Sequence, residues 1–432
     1  MKTNLLMVIV CLVFFSAAVF AGGNQESAGA NAEEKITLKW QIWVTPNLTR
    51  AFYEDIAAAF EAENPKVDVE LVEATATGSA GSMDFIRNRL AAGDVPDLWS
   101  NFTDIPSFAD AGHLWEFPAG DPDLAKVKNL MSTAYNGKLY SIGTALQPQS
   151  IMYYNKKLWA EAGLTKNDIP RTWNELESVC GKIKNAGMVP IITGGEWVPI
   201  TFFDYFVGPQ ITKEHPNLWA EIYSGEMKWN NPEIVEILSF MDKLVKKGYI
   251  IEGALSIGYA QLEKAFLTEE AVMYPMGSWF TAAEAAADKD WETGCFAVPT
   301  KDGEINMTRS GGYGNGFVIY SGSEHPELAF KLLKKVVLDP VFGAKFIEAD
   351  GLFSNLEPPL TYPMSYLQKE LAAEIAELDY SYPIIQHVLG APAPPGIGDY
   401  LKSAGEAILS QSYSSLENIL QQIDNFIAET QM

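Results

Sequence analysis

The chain has 432 residues, of which 47% are hydrophobic and 20% are charged, with 34 Gly and 24 Pro. This composition is that of an ordinary globular protein, so disordered and fibrous classes are excluded, and the length favours two or three compact units. Lys and Arg number 31 against 55 Asp and Glu, a formal net charge of -24. Nucleic acid is not expected as a partner, because such a surface repels phosphate backbones.

The amino-terminal segment predicts export. Residues 1–21 begin with the cation Lys2, continue through the apolar run Leu5–Phe15 and end in the small-x-small pattern Val19-Phe20-Ala21. This is the pattern of a secretory signal peptide, and the run is short for a retained membrane anchor. Residues 22–35 are small and polar and are interpreted as a linker. We therefore expect a periplasmic or extracellular protein.

Strands and helices then alternate. Alternation over Ile36–Trp43 predicts a strand, and helical spacing of apolar residues predicts a helix that ends at Asn64-Pro65. A second strand is predicted over Val67–Val72, a second helix up to Gly93, and a third strand near Asp97–Trp99. The order strand, helix, strand, helix, strand indicates a parallel sheet and an α/β fold.

Later segments carry signals for helix starts. Thr172 and Glu175 form a predicted capping box for a helix closing at Gly187. Asn231-Pro232 predicts a helix start, and Ser414 with Glu417 predicts a capping box for the last amphipathic helix.

Metal and cofactor sites are not predicted. The four histidines, at 113, 215, 325 and 387, show no ligand spacing with cysteine. Past residue 21 only Cys180 and Cys295 remain, too few for a disulfide scaffold, and whether they pair is open.

Several segments resemble, in order, one known family. The amino-terminal ones are Trp43 after the first strand, Phe60–Val67 and Gly93–Asp97; the central ones are Asn136–Ile142, Tyr153–Lys156, Ala162–Leu164 and Pro170–Leu176; the later ones are Ala271–Met273, Gly277–Trp279, Val298-Pro299, Gly311–Tyr313 and Pro326–Ala329. Together they resemble family 1 of the extracellular solute-binding proteins, the sugar-binding, maltose-binding-protein-like components of ABC importers.

The resemblance implies a two-lobed periplasmic-binding-protein fold, in which each lobe is a central sheet flanked by helices. Lobe 1 would comprise residues 36–143 and 305–355, and lobe 2 residues 144–304 and 356–432. Crossovers would fall near residues 143, 304 and 355. A ligand would be held in the cleft between the lobes, with hinge closure on binding.

Aromatic candidates for a sugar site follow from its chemistry, because a pyranose ring offers C–H patches on its faces. Trp279 follows the Gly277-Ser278 turn, Trp43 ends the first strand where open α/β sheets present ligands, and Trp197 follows Gly194-Gly195-Glu196. Tyr400, near the start of the helix leading to the carboxyl end, is a further candidate platform.

Polar candidates would bind the hydroxyls at the edge of the sugar. They are Asn101 and Asp104, after the third strand, and Gln149 at the first crossover. Tyr313 and the Gly312 amide lie in Gly311–Gly316, which could pass for a phosphate loop, but no Lys and no helix follow. A crossover turn that approaches the ligand fits better.

The predicted function is a non-catalytic receptor that captures a mono- or oligosaccharide and delivers it to the membrane permease subunits of an ABC transporter. We expect a monomer. Two alternatives stay open at this stage. The same fold could bind a polyamine, a peptide or a metal chelate, or the chain could be a secreted glycoside hydrolase, which also uses aromatic and acidic residues.

Overall fold

The computed structural model describes residues 35–45, 47–74, 78–100, 105–311, 316–386 and 391–431. In chain order, the strands β1 to β11 comprise Ile36–Ile42, Val67–Glu73, Leu98–Ser100, Ala145–Pro148, Ile151–Asn155, Met273–Met276, Thr293–Ala297, Asn306–Gly311, Phe317–Ile319, Phe353–Ser354 and Asp379–Ser381. The helices α1 to α15 comprise Arg50–Glu63, Gly78–Ala92, Ile105–Asp110, Lys156–Glu161, Trp173–Asn185, Val198–Glu214, Leu218–Ser224, Pro232–Lys246, Tyr259–Leu267, Phe280–Ala286, Pro326–Val337, Phe342–Ala349, Tyr366–Ala376, Ile397–Ser410 and Leu416–Thr430.

The first sheet confirms the predicted alternation of strands and helices. Its strand order is β2-β1-β3-β9. Strand β1 pairs in parallel with β2 from Ile36 opposite Val67 to Ile42 opposite Glu73, and in parallel with β3 at Trp40 opposite Leu98. Strand β9 joins from far along the chain and is antiparallel to β3. The carboxyl end of β1, where Trp43 follows, is therefore one edge of a mostly parallel sheet.

Two further sheets, one of four strands and one of three, contain the other strands of the described residues. One has the order β10-β4-β8-β11, with β4 antiparallel to both β10 and β8. The other has the order β6-β5-β7, antiparallel throughout, so that Ile151 of β5 lies between Met276 of β6 and Ala297 of β7. The end of β6 that leads to Trp279 thus lies beside the beginning of β5.

The helix starts at Thr172 and Asn231 are confirmed. The Thr172 hydroxyl accepts from the Glu175 amide at 3.2 Å, while a Glu175 carboxylate oxygen accepts from the Thr172 amide at 3.0 Å. The amides of Arg171 and Thr172 hold the pKa of Glu175 below its usual value. Asn231 caps α8 by accepting from the Glu233 and Ile234 amides at 2.9 and 3.0 Å.

The predicted cap of the last helix was wrong by one residue. Ser415, not Ser414, has the extended backbone of an N-cap, and its hydroxyl accepts from the Asn418 amide at 3.1 Å. Ser414 accepts instead from the Asn418 side chain at 3.0 Å. With Ser415 as the cap, the third helical residue is Asn418, so Glu417 cannot complete a capping box. Ser414 has Glu three residues later and Ser415 has Asn, so the local pattern favoured the serine that does not cap the helix.

Ser415→Ala is expected to lower the free energy of unfolding by about 1 kcal/mol, because it removes the acceptor for one amide of the first turn. Ser414→Ala, the matched control, is expected to change it by only a few tenths of a kcal/mol. Urea unfolding followed by circular dichroism measures both. Equal losses in the two variants would contradict the cap at Ser415.

Separate apolar cores lie around the sheets. The first core, around β1, α1 and α11, includes Trp40, Phe60 and Leu333. The second core, among the helices from α4 to α8 with α14 and α15, includes Trp219 and Trp229. A third core is built around β5, β6 and β7; its members include Tyr153, Phe266, Tyr274 and Phe280.

The described chain has three sheets, with helices between many of their strands, which agrees with the α/β prediction. Tyr153 and Tyr154 are buried. The residue boundaries of the lobes stay a prediction. Within the described residues, no helix combines the length and the apolar character needed to cross a bilayer.

Candidate functional site

Two of the predicted aromatic residues contact each other. The rings of Trp197 and Trp279 have centroids 6.0 Å apart and are tilted by 55°, and both side chains are half-buried. Tyr259 extends the contact, since its ring centroid is 4.8 Å from that of Trp197. We call Trp197, Tyr259 and Trp279 the aromatic group. Half-buried rings in mutual contact offer apolar surface that a ligand can cover.

The turn between β6 and α10 fixes the position of Trp279. Its ring folds back over Gly277, where a Cβ would lie 2.0 Å from the ring, so that only glycine leaves room for this arrangement. The turn is held at both sides: the Tyr153 hydroxyl donates to the Gly277 carbonyl at 3.1 Å, and the Ser278 amide donates to the Pro148 carbonyl at 2.9 Å.

The glycines before Trp197 bring it to Tyr259. The Gly195 amide donates to the Ile257 carbonyl at 2.9 Å, and a Cβ at Gly195 would lie 2.2 Å from the Leu255 carbonyl oxygen. The two backbone segments can approach this closely because glycine has no side chain. The Tyr259 amide then donates to the Glu196 carboxylate at 3.2 Å. These contacts hold the backbone segments that carry Trp197 and Tyr259 next to each other.

The loop after β1 reaches the same turn from the first sheet. The Tyr53 hydroxyl of α1 donates to the Trp43 carbonyl at 2.9 Å. Four residues after Trp43, the Asn47 side-chain amide donates to the Trp279 carbonyl at 3.2 Å. Trp43 is half-buried. The structure thus brings the Trp43 loop, at the carboxyl end of a parallel strand, next to the turn that carries Trp279.

Gln149 lies beside this turn as well. It follows Pro148, whose carbonyl accepts from the Ser278 amide, and its own amide donates to the Thr308 carbonyl at 2.7 Å. Gln149 is only 7% exposed. Four other predicted residues, Asn101, Asp104, Gly312 and Tyr313, lie outside the described residues.

Tyr400 is not part of this assembly in the structure. Its ring is stacked on that of Phe426, with centroids 4.2 Å apart and planes 22° apart. The stack joins α14 to α15 and packs against the second core. One face of the Tyr400 ring is thereby covered by the chain itself.

Two carboxylates that the sequence analysis did not single out lie near the aromatic group. Glu263 is 6% exposed and accepts from the Tyr259 hydroxyl at 2.7 Å. Burial raises the pKa of Glu263, and the bond from Tyr259 opposes that rise. The spacing of α9 makes Glu263 look like a core-facing position, and a charged residue at such a position was the signal that could have revealed it.

The second carboxylate, Asp350, lies at the end of α12. Burial raises the pKa of Tyr53, and the Asp350 charge adds to this; Asp350 also contributes to the raised pKa of Tyr259. The next residue, Gly351, packs closely against the Ser278 carbonyl, 2.4 Å from the position of an added Cβ. Asp350 therefore lies near tyrosines of α1 and α9. A carboxylate there can accept hydrogen bonds from hydroxyl or ammonium donors.

The described residues contain no group of three or more His, Cys, Asp or Glu side chains arranged to hold a metal ion. Cys180 and Cys295 are both free and buried, and burial raises the pKa of each thiol.

A separate cavity of about 380 Å³ lies between α6, α8 and residues 300–304. It contains none of the predicted residues. Its lysines are paired with its own glutamates, Lys213 with Glu304 at 2.7 Å and Lys301 with Glu236 at 2.6 Å. The aromatic group and the carboxylates beside it are therefore the stronger candidate site.

Known proteins resemble this chain over most of its length. A curated relative, the multiple sugar-binding protein of Streptococcus mutans, is 25% identical over 357 residues, which cover 79% of this chain and 80% of the relative. The solved structure of a chitin oligosaccharide binding protein has a TM-score of 0.79 at 22% identity, covering 92% of this chain and 99% of that one. The solute-binding protein RafE in complex with raffinose has a TM-score of 0.72 at 21% identity, covering 92% and 100%.

These two structures establish the fold, which is the two-lobed arrangement predicted from the motifs. The family assignment rests on the sequence. The profile of the family described as bacterial extracellular solute-binding protein matches residues 55–357, more than half of the chain. The chain belongs to the bacterial extracellular solute-binding proteins.

Proposed function

We propose that this protein captures a mono- or oligosaccharide in the cleft between its lobes and delivers it to the membrane permease subunits of an ABC transporter. The observation that carries this proposal is the aromatic group, half-buried and in contact with the loop after β1 through Asn47 and Trp279. The names of the Streptococcus mutans relative and of the two solved structures refer to sugars, and they support the same ligand class.

The chemistry of the site suits a sugar. Tilted aromatic faces pack against the C–H patches of a pyranose, and the polar groups beside them, Gln149 and Asp350, can bind its hydroxyls. We propose that Trp43, Gln149, Trp197 and Trp279 contact the ligand. The same proposal extends to Asn101, Asp104, Gly312 and Tyr313, and Tyr400 would take part only if its stack on Phe426 opened.

The predicted lobe boundaries indicate where the hinge would lie. The predicted crossovers near residues 143, 304 and 355 lie beside β4, β8 and β10, and these three strands are neighbours in one sheet. We propose that this sheet carries the hinge, with lobe 1 at residues 36–143 and 305–355 and lobe 2 at residues 144–304 and 356–432. Export would depend on the signal at residues 1–21, and the exported protein would act as a monomer.

Titration of the protein, expressed without residues 1–21, with mono- and oligosaccharides tests the proposal. Intrinsic tryptophan fluorescence and the melting temperature are followed together. Bound sugar is expected to stabilise the protein by about 2.7 kcal/mol at 100 times the dissociation constant, and the melting temperature rises accordingly. If no sugar of a broad panel changes the fluorescence or the melting temperature but an amine or a peptide does, the proposed ligand class is wrong and the fold assignment is unaffected.

A cationic ligand such as a polyamine is the second candidate, favoured by the two carboxylates Glu263 and Asp350 beside the aromatic group. Salt separates the two classes. Affinity for a neutral sugar is expected to be nearly independent of ionic strength, whereas affinity for a polyamine falls as salt screens its attraction to carboxylates.

We further propose that binding is not followed by turnover. Prolonged incubation with an oligosaccharide that binds is expected to release no new reducing ends. Their release would show a glycoside hydrolase, which needs two opposed carboxyl groups at the scissile bond.

A further inference from the structure

A chain of contacts leads from a buried carboxylate to the aromatic group. The Tyr259 hydroxyl donates to the Glu263 carboxylate at 2.7 Å. The Tyr259 ring packs against Trp197, with centroids 4.8 Å apart, and Trp197 packs against Trp279, with centroids 6.0 Å apart. The contacts therefore lead from Glu263 through Tyr259 and Trp197 to Trp279.

The position of Glu263 is unusual for a carboxylate. It is 6% exposed, and its neighbours on α9, Leu262 and Phe266, belong to the third core. No cation compensates it within the part of the chain that the structure describes, where burial and the Tyr259 bond are the influences on it. Burial of a carboxyl group without a cation costs free energy that a leucine at the same place would avoid.

The pKa of Tyr259 agrees with this geometry. Burial raises the pKa of the Tyr259 phenol, and the Glu263 carboxylate raises it further. The phenol thus stays protonated and donates to Glu263. The carboxylate fixes the direction of this hydrogen bond and with it the position of the Tyr259 ring, against which Trp197 packs.

We propose that Glu263 is a positioning residue of the ligand site: its hydrogen bond fixes the Tyr259 ring, the ring contacts fix Trp197 and Trp279 in turn, and the aromatic group is thereby prepared for the ligand. The expected effect of Glu263 on affinity rests on the proposed function. Its expected effect on the position of the rings applies to the unliganded protein. Preorganised rings bind more tightly because less side-chain freedom is lost on binding.

Three substitutions test the chain of contacts. Glu263→Leu removes the acceptor, Tyr259→Phe removes the phenol and keeps the ring, and Glu263→Gln keeps a carbonyl acceptor. The first two are each expected to weaken sugar binding by about 5- to 10-fold. Glu263→Gln is expected to stay within about 2-fold of the unchanged protein, and Lys264→Leu, at an exposed position of α9, is the matched control.

The double variant Glu263→Leu with Tyr259→Phe gives the sharper result. It is expected to bind no more weakly than the weaker single variant, because both substitutions break the same chain of contacts. Multiplying losses would overturn the proposal, as would unchanged affinity in Glu263→Leu. If Glu263→Leu does not fold, the comparison of Tyr259→Phe with Glu263→Gln decides, since only the former should lose affinity.

Near-ultraviolet circular dichroism of the unliganded variants separates this inference from the proposed function. Glu263→Leu and Tyr259→Phe are expected to change the tryptophan bands, and Glu263→Gln and Lys264→Leu are expected to leave them as they are. If no sugar binds any variant and this pattern appears, the proposed function fails and the positioning role stands. Unchanged bands in Glu263→Leu overturn the positioning role whatever the ligand.

Discussion

Trp279→Ala is expected to weaken sugar binding by about 100-fold while the protein stays folded. The Trp279 ring is half-buried, at the edge of the third core, and packs against Trp197. Its removal takes away apolar surface that a sugar face would cover, and aromatic anchors of this kind account for about 2–3 kcal/mol. Isothermal titration with a sugar that binds the unchanged protein measures the loss.

Two variants make this result specific. Trp279→Phe keeps an aromatic face and is expected to retain part of the affinity. Tyr366→Ala removes an exposed aromatic ring that contacts Lys156, after the far end of β5, and is expected to leave the affinity unchanged. Equal affinity in Trp279→Ala and the unchanged protein would exclude Trp279 as a platform. Equal loss of affinity in Trp279→Ala and Tyr366→Ala would show that removal of an aromatic ring weakens binding wherever the ring lies, and would contradict a specific role of Trp279.

Asp204→Asn is expected to make the protein more stable at pH 8 and to leave its stability nearly unchanged at pH 4. Asp204 lies inside α6, 6% exposed, and accepts from the Ile384 amide at 2.8 Å. Burial raises its pKa from 3.8 to about 7, against the opposing effect of the Ile384 amide. Asparagine keeps a carbonyl acceptor for that amide and carries no charge.

The direction of the pH effect follows from the two pKa values. In the unfolded chain Asp204 loses its proton near pH 4, but in the folded protein only near pH 7. The folded state therefore binds more protons between these values, and stability from this group is complete below pH 4 and lost as the pH rises through 7. Above pH 8 the charged side chain costs roughly 2–5 kcal/mol, which Asp204→Asn recovers.

Urea unfolding at pH 4 and pH 8 measures the difference in stability between Asp204→Asn and the unchanged protein. Asp242→Asn is the control of opposite sign. Although burial opposes it, the pKa of Asp242 is lowered by Lys246, Tyr413 and Gln411, so its side chain stays charged where Asp204 titrates in the folded protein. Asp242→Asn should destabilise by a similar amount at both pH values. If the difference in free energy of unfolding between Asp204→Asn and the unchanged protein does not grow with pH, Asp204 is not held protonated by burial.

The strands and helix starts that depend on local sequence patterns could be predicted from the sequence. The strands predicted over Ile36–Trp43 and Val67–Val72 are found at Ile36–Ile42 and Val67–Glu73, and Thr172 and Asn231 located helix starts. These features follow from hydrogen bonds and side-chain directions within a few residues, and they repeat wherever the pattern occurs. Family motifs extended this to the two-lobed fold. The adjacent serines at 414 and 415 show the limit, since local pattern alone chose the wrong cap.

The α/β class, the family and the aromatic residue types offered to a ligand could be predicted from the sequence. The folded chain was needed to show that Trp197 contacts Trp279, that Asn47 donates to the Trp279 carbonyl, and that Tyr400 is stacked on Phe426. It also revealed Glu263 behind Tyr259. These contacts join segments from different sheets and helices, and their geometry depends on how whole elements pack, which no spacing within a single segment specifies.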